Sequence, residues 1–342
     1  MREWIYNSEL VPLPTKKVIN KPRVSIGLYV YNGANFLEEA LAAFLAQTFK
    51  DFELVISDNG STDRTQEICR AYAAKDQRIC YYRNEQNRGA GWNLNRVFEL
   101  SRGEYFKWAN HDDLCAPELL EQCVEVLDRN PSVVLCYPKT IIINEHGQHI
   151  EKYNDCFNLR SSKPHERFKQ YHSLVRYGHG CHPYFGLIRA NTLKITLPVG
   201  SYPSSDLVFL GELTLHGEFY EIPEYFFFKR DHPHRSMRAH RAFKDRIAWF
   251  NPAKKGQLHL TRWKWFFDYL AGIKRAQLSW DEKAHCYLQM VKWFNWNWIL
   301  LAKDLTKAAA WPLLKPFLNS AQAEKDVPVQ LLNHQGLNES KS

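Results

Sequence analysis

No uninterrupted apolar run in this sequence approaches the roughly 20 residues that a bilayer-spanning helix needs, so an ordinary transmembrane segment is not expected. Residues 1–17, MREWIYNSELVPLPTKK, hold no continuous apolar core and are not expected to act as a secretory signal. The eight cysteines form no CxxC pair and no regular spacing. That argues against a zinc site or a disulfide framework and for small buried hydrophobes in a reducing, cytoplasmic compartment. A glycine-rich, lysine-bearing phosphate loop is missing near the first strand, which disfavours nucleotidyl-transfer chemistry of the P-loop kind. There is no internal repeat, no low-complexity tract and no nucleic-acid recognition motif, so nucleic acid is not an expected partner.

What is present is a chain of 342 residues, 45% hydrophobic and 14% aromatic, ample for one large or two moderate domains. Its +8 net charge is not spread evenly. Up to His234 the acidic residues slightly outnumber the basic ones, whereas from Arg235 onward 18 Lys and Arg face 8 Asp and Glu, with eight of the eleven Trp.

Residues 1–22 are polar and punctuated by proline, a lead-in segment. From there strand and helix signals alternate: strands at 24–32, 54–56, 79–84 and 105–108, and helices over 36–49, 64–74 and 91–100. Asp63 and Gln66 have the outline of a capping box for the second helix. Strands apolar on both faces predict a mostly parallel sheet covered by helices. Each strand stops at turn residues: Asn32-Gly33, Asp58-Asn59-Gly60, Asn87-Arg88-Gly89 and Asn110-His111-Asp112-Asp113. Parallel strands bring these ends to one edge, where such sheets bind ligands. Asp112 and Asp113, between a strand and a helix expected at 117–129, either cap that helix or hold a hard divalent ion on a diphosphate. Further on, strands are expected at 133–137, 140–144, 148–150, 185–190 and 225–229. Helices are expected at 165–178 and from near Asp206, which is either an N-cap or a catalytic carboxylate.

Three stretches in order, VSIGLYVYNG, FELVISDNGSTDRT and GEYFKWANHDDLCAPELL, followed by SSDLVFLGELTLHGEFYEIPEYFFFKRDHPHRS, carry a resemblance. Residues 23–236 resemble the catalytic domain of family-2 glycosyltransferases of the GT-A fold. The resemblance implies an inverting transfer of a sugar from a nucleotide-diphosphate donor of UDP or GDP type, assisted by Mn²⁺ or Mg²⁺. The acceptor it implies is a glycan or lipid-linked hydroxyl, in polysaccharide or cell-envelope biosynthesis. It places Asp206 as the base, with Ser205 where the family has a first acid. It places Asp112 and His232 on the metal. Tyr31, Asn32, Asp58, Asn59, Arg88, Asn110, His111 and Asp113 would then bind the nucleotide sugar, Asn110 replacing the first acid of the DxD-type motif. The departures at Asn110 and Ser205 leave a second reading, a catalytically silent protein of the same fold that binds a sugar nucleotide or glycan.

Beyond the resemblance, amphipathic helices are expected at 262–274 and 284–305 within a helical extension over 237–320, followed by a disordered tail at 321–342. This Trp- and Lys-rich pair either packs on the catalytic domain or a second subunit, or attaches peripherally to the inner face of a membrane.

Overall fold

A computed structural model describes residues 21–240 and 242–323, with side chains at 236–237 and beyond 312 left aside. Residues 1–20 of the expected lead-in and 324–342 of the expected tail lie outside these residues.

The first half is four parallel strands with helices between them. β1 (Val24–Val30), β2 (Phe52–Asp58), β3 (Ile79–Arg83) and β4 (Tyr105–Ala109) alternate with α1 (Leu37–Leu45), α2 (Thr65–Lys75) and α3 (Ala90–Glu99). β2 is buried along its whole length, as a central strand covered on both faces must be. Gly27 of β1 is small for a reason: a Cβ there would sit 2.6 Å from the Phe106 ring of β4. Asp63 does not form the expected capping box. One carboxylate oxygen takes the N–H of Thr65, and the other takes the N–H of Ala34, which ties the end of β1 to α2.

The second half adds β5 (Leu114–Cys115), α4 (Leu119–Arg129), β6 (Val133–Ile143), β7 (His149–Tyr153), α5 (Pro164–Val175), β8 (Leu187–Arg189), α6 (Ala190–Ile195), α7 (Ser205–Leu213) and β9 (Glu218–Arg230). The sheet runs β3-β2-β1-β4-β8-β6-β9-β5, with β7 beside β6. β8 is antiparallel to both its neighbours and interrupts the parallel run at β4, and β6 and β9 pair in parallel beyond it. The two strands expected at 133–137 and 140–144 are one strand, and the strand expected at 225–229 begins seven residues earlier. Register shifts around Pro138, opposite the Ile222–Tyr225 stretch, absorb Pro138 and Pro223 without ending either strand.

α8 (Ser236–Ala239), α9 (Phe243–Phe250), α10 (Thr261–Arg275) and α11 (Trp280–Ala323) complete the described chain. Two apolar clusters line the two faces of the sheet, and a third joins α5 and α7 to α10 and α11 through Phe168, Val208, Tyr269, Met290 and Trp293. Polar contacts reinforce that junction. Tyr202 donates to Asp268 at 2.6 Å, and Arg275 pairs with Glu212 of α7 at 2.8 Å. The inner face of the C-terminal helices therefore braces the segment that carries Asp206.

Candidate functional site

The ends of β1, β2 and β4 open onto a cleft of about 860 Å³ that also takes in residues 179–185, 199–207, the end of β9 and α9. That size suits a bound small molecule. Of the residues expected in the site, Tyr31, Asn32, Asn59, Asn110, His111, Asp112, Asp206 and His232 all line it. Asp58 and Asp113 are buried behind the wall and Arg88 is exposed outside the cleft, for reasons visible in their bonding. The fully buried Asp58 carboxylate accepts from the Ser61 N–H at 2.8 Å, the Tyr81 hydroxyl at 2.8 Å and Arg83 at 2.9 Å. It shapes the turn that presents Asn59. Arg88 lays its guanidinium over the Trp92 ring, 4.2 Å from the centroid, and meets Asn59 through its main-chain N–H at 3.1 Å. Asp113 accepts from Asn110 Nδ2 at 2.7 Å, Lys229 Nζ at 2.8 Å and the Arg230 N–H at 3.0 Å.

Asp112 and His232 meet although 120 positions apart, with Asp112 Oδ2 3.0 Å from His232 Nε2. Arg230 makes this meeting possible. Its buried guanidinium donates to the Asp112 carbonyl at 2.9 Å, the Glu145 carbonyl at 2.8 Å and Glu39 at 2.7 Å, locking the end of β9 against the β4–β5 turn. Burial alone would raise the Asp112 carboxyl. The His232 hydrogen bond, then the electrostatic effect of His111 and Lys229, outweigh it and hold the group well below the usual carboxylate range. The other ring nitrogen of His232, Nδ1, is buried without a hydrogen-bond partner. Gly33 gives room for the neighbouring His111, since a Cβ there would come within 2.6 Å of its ring.

Tyr29 stands among the acids. Its hydroxyl donates to Asn110 Oδ1. Burial, then the charges of Asp112, Asp113 and Asp206, push that hydroxyl up, so it stays a donor. Asp206 sits in the first turn of α7, where its Oδ1 takes the Leu207 N–H at 3.0 Å. Burial pushes its carboxyl up, against a smaller downward pull from that main-chain N–H.

The described residues include four non-glycine residues at positive φ, and three of them, Asn32, Cys181 and Ser204, line the cleft. Left-handed backbone costs an ordinary residue about 1 kcal/mol, and such strain concentrates at functional sites. The motifs could not show it, because cysteine and serine carry no signal for that conformation. Nor did they show the far wall, where His240, Asp245, Arg246, Trp249 and Lys255 belong to the extension. Among the described residues no three His, Cys, Asp or Glu side chains gather into a metal cage. In the run His179–His182, part of which lines the cleft, His179 Nδ1 accepts the Cys181 N–H at 3.0 Å, and Nε2 lies 2.6 Å from the Asp155 carbonyl.

Comparison with known proteins bears on the fold and the family. The chain is 36% identical over 163 residues to an uncharacterized glycosyltransferase of Rickettsia typhi, covering 47% of this chain and 49% of that protein. It is 35% identical over 169 residues to an uncharacterized glycosyltransferase of Rickettsia prowazekii, covering 48% and 51%. The chain thus spans about half the length of the curated relatives it matches. Among solved structures, S. aureus TarS 1–349 in complex with UDP superposes with a TM-score of 0.56 at 18% identity, over 85% of this chain and 75% of that one. The same fragment crystallised without a stated ligand gives 0.57 at 18% identity, over 88% and 87%. At that identity the likeness establishes the fold, a GT-A-type α/β architecture with flanking helices. Residues 25–194, the stretch that holds the strand ends and Asp112, match the family model described as glycosyl transferase family 2, and the chain belongs to that family.

Proposed function

We propose that the chain transfers a sugar, with inversion, from a nucleotide-diphosphate donor to the hydroxyl of a glycan or lipid-linked acceptor. The product would be a polysaccharide, glycolipid or cell-surface glycan, made at the cytoplasmic face of a membrane. The observation that carries this reading is the placement of the Asp112–His232 pair and Asp206 on one cleft around Tyr29. The glycosyltransferase relatives, and the UDP and UDP-GlcNAc held by the TarS crystals, support the donor class.

In this mechanism Asp206 accepts the acceptor's proton as the hydroxyl attacks the anomeric carbon on the face opposite the departing diphosphate. A carboxyl raised by burial is better matched to that task near neutral pH than an ordinary one. Asn59 and Asn32 stand at the strand ends where the nucleoside would lie, and Lys229, with Arg235 beyond it, faces the diphosphate end. The Asp112 oxygen and His232 Nε2 fit a divalent cation: they already meet at 3.0 Å, and the acid is held ionised. Bound there together with diphosphate oxygens, Mn²⁺ or Mg²⁺ would neutralise charge developing on the leaving group.

The silent alternative rests on Asn110 and Ser205. The Asn110 amide bridges the Tyr29 hydroxyl and Asp113, two bonds that need a carboxamide, so this departure does not imply a lost function. Release of nucleoside diphosphate across a panel of sugar nucleotides, with Mn²⁺ or Mg²⁺, tests the proposal. Turnover lost in Asp112→Ala and in Asp206→Asn is expected. Donor binding without turnover for every donor and acceptor would sink it.

A further inference from the structure

The buried side of α11 is fully used, by Cys286, Met290, Trp293 and Leu301 against α5 and α10. Its outward side is almost as apolar. Leu288, Val291, Phe294, Trp298, Ile299 and Leu305 are all exposed, Trp298 by 58% and Leu288 by 62%. At 100° per residue these six fall within one arc of the helix, interrupted by Asn295 alone among larger polar residues. Phe267 of α10, 56% exposed, widens the patch, its ring and that of Phe294 both lying against Trp263. Folded chains seldom leave such a contiguous apolar strip in water without using it.

The charges beside the strip are of one sign. Lys292, Lys303 and Lys307 are exposed along its far flank, Lys307 also standing 3.9 Å from Asp304. From Lys283 to Ala323 the only acidic residue is Asp304, and it is buried. A helix with an apolar arc bearing Trp and Phe and a lysine flank matches the boundary layer of an anionic bilayer, where the ring sits among headgroups and the ammonium groups meet lipid phosphate. Among the described residues no helix is long and apolar enough to cross a membrane, so the strip would lie in the surface. We infer that the outward face of α11, with Phe267, is a docking surface for an anionic phospholipid membrane, gripped through Trp298 and the lysine row. This deepens the reading of a lipid-linked acceptor and rests on it for its purpose, but its test involves no sugar transfer.

Vesicle sedimentation decides the matter, using the full chain with phosphatidylcholine vesicles containing or lacking about one third phosphatidylglycerol. Binding is expected to the anionic vesicles, weakening with salt. At roughly fivefold per lysine, Lys292→Gln/Lys303→Gln/Lys307→Gln should lower partitioning about 100-fold, and Val291→Glu/Trp298→Glu should abolish it. Both variants change exposed side chains, and unchanged circular dichroism and thermal melting would show that they fold. No sedimentation of the wild type, or partitioning untouched by both variants, overturns the inference. So does a dimer in sedimentation equilibrium that Trp298→Glu converts to monomer, which would make a second copy the occupant. Donor turnover measured on the same samples separates a failure here from a failure of the proposed reaction.

Discussion

Replacing Asp155 by Asn should stabilise the protein, and increasingly so as the pH rises. Asp155 follows β7 beneath the cleft loop at 179–182 and is 1% exposed. Neither side-chain oxygen makes a hydrogen bond of normal geometry; His179 Nδ1 and His182 Nδ1 stand 3.7 and 3.9 Å away. Burial, then the charge of Glu221, push its carboxyl up to about 8, against a smaller opposing pull from the His182 main chain. His182 gives no compensating charge, because burial drives its imidazole down to about 3. Unfolded, Asp155 titrates near the ordinary value of about 3.9. Between the two values the folded state holds a proton that the unfolded state has lost, so stability falls as pH rises from about 4 to about 8. At about 1.4 kcal/mol per pH unit, the penalty grows by about 4 kcal/mol between pH 5 and 9. Asparagine does not titrate. Urea unfolding of both proteins at pH 5, 7 and 9 should give midpoints that diverge with pH, the variant ahead at pH 9. Parallel curves, with a gap constant to within about 1 kcal/mol, would refute the reasoning and show that the carboxyl is solvated or paired.

Asp206→Asn should cut transfer by roughly 10² to 10⁴, the usual worth of a general base, with donor affinity by calorimetry preserved. Because burial raises this carboxyl, the variant should also be no less stable than the wild type at neutral pH. His232→Ala should weaken donor binding in Mn²⁺ more than in EDTA, which titration with and without metal reads directly. Restoring the family acid with Asn110→Asp should impair rather than improve the enzyme. It removes the N–H given to Asp113 at 2.7 Å, worth about 1.5 to 3 kcal/mol when the acceptor is charged, and brings a second carboxylate to that oxygen. Thermal melting at pH 7 should fall by several degrees, and an unchanged melting point would count against the Tyr29–Asn110–Asp113 chain.

The strand ends, and the places of Asp112 and Asp206 on the cleft, were legible because their signals are local: a polar break after a buried apolar run, or the start of a helix. Boundaries strayed where tertiary pairing overrode local chemistry. Pro138 and Pro223 suggest chain breaks, yet β6 and β9 carry each other through them with a bulge. The far wall of the cleft was not legible. Nothing in the spelling of residues 240–255 says that α9 folds back until the Phe250 carbonyl stands 2.5 Å from where a Gly89 Cβ would lie. The same holds for Arg230, whose three anchors at Glu39, Asp112 and Glu145 come from separate parts of the chain.

Asn110 shows why a motif departure is a poor guide to lost activity when its neighbours are unknown. Read alone, an amide in place of an acid removes charge from a presumed metal site. In the fold the adjacent acid, Asp113, is turned inward and spends its oxygens on Lys229, the Arg230 N–H and Asn110 itself. A carboxylate at 110 would face that acid with no proton to offer, whereas the amide gives an N–H to Asp113 and an oxygen to Tyr29. The consequence reaches Asp112. Asp113 and Arg230 fix the turn between them, so Asp112 keeps its direction toward His232 without a second acid to hold it. Charge missing at 110 is thus replaced by position, and one well-oriented carboxylate beside an imidazole is the arrangement on which the proposed chemistry depends.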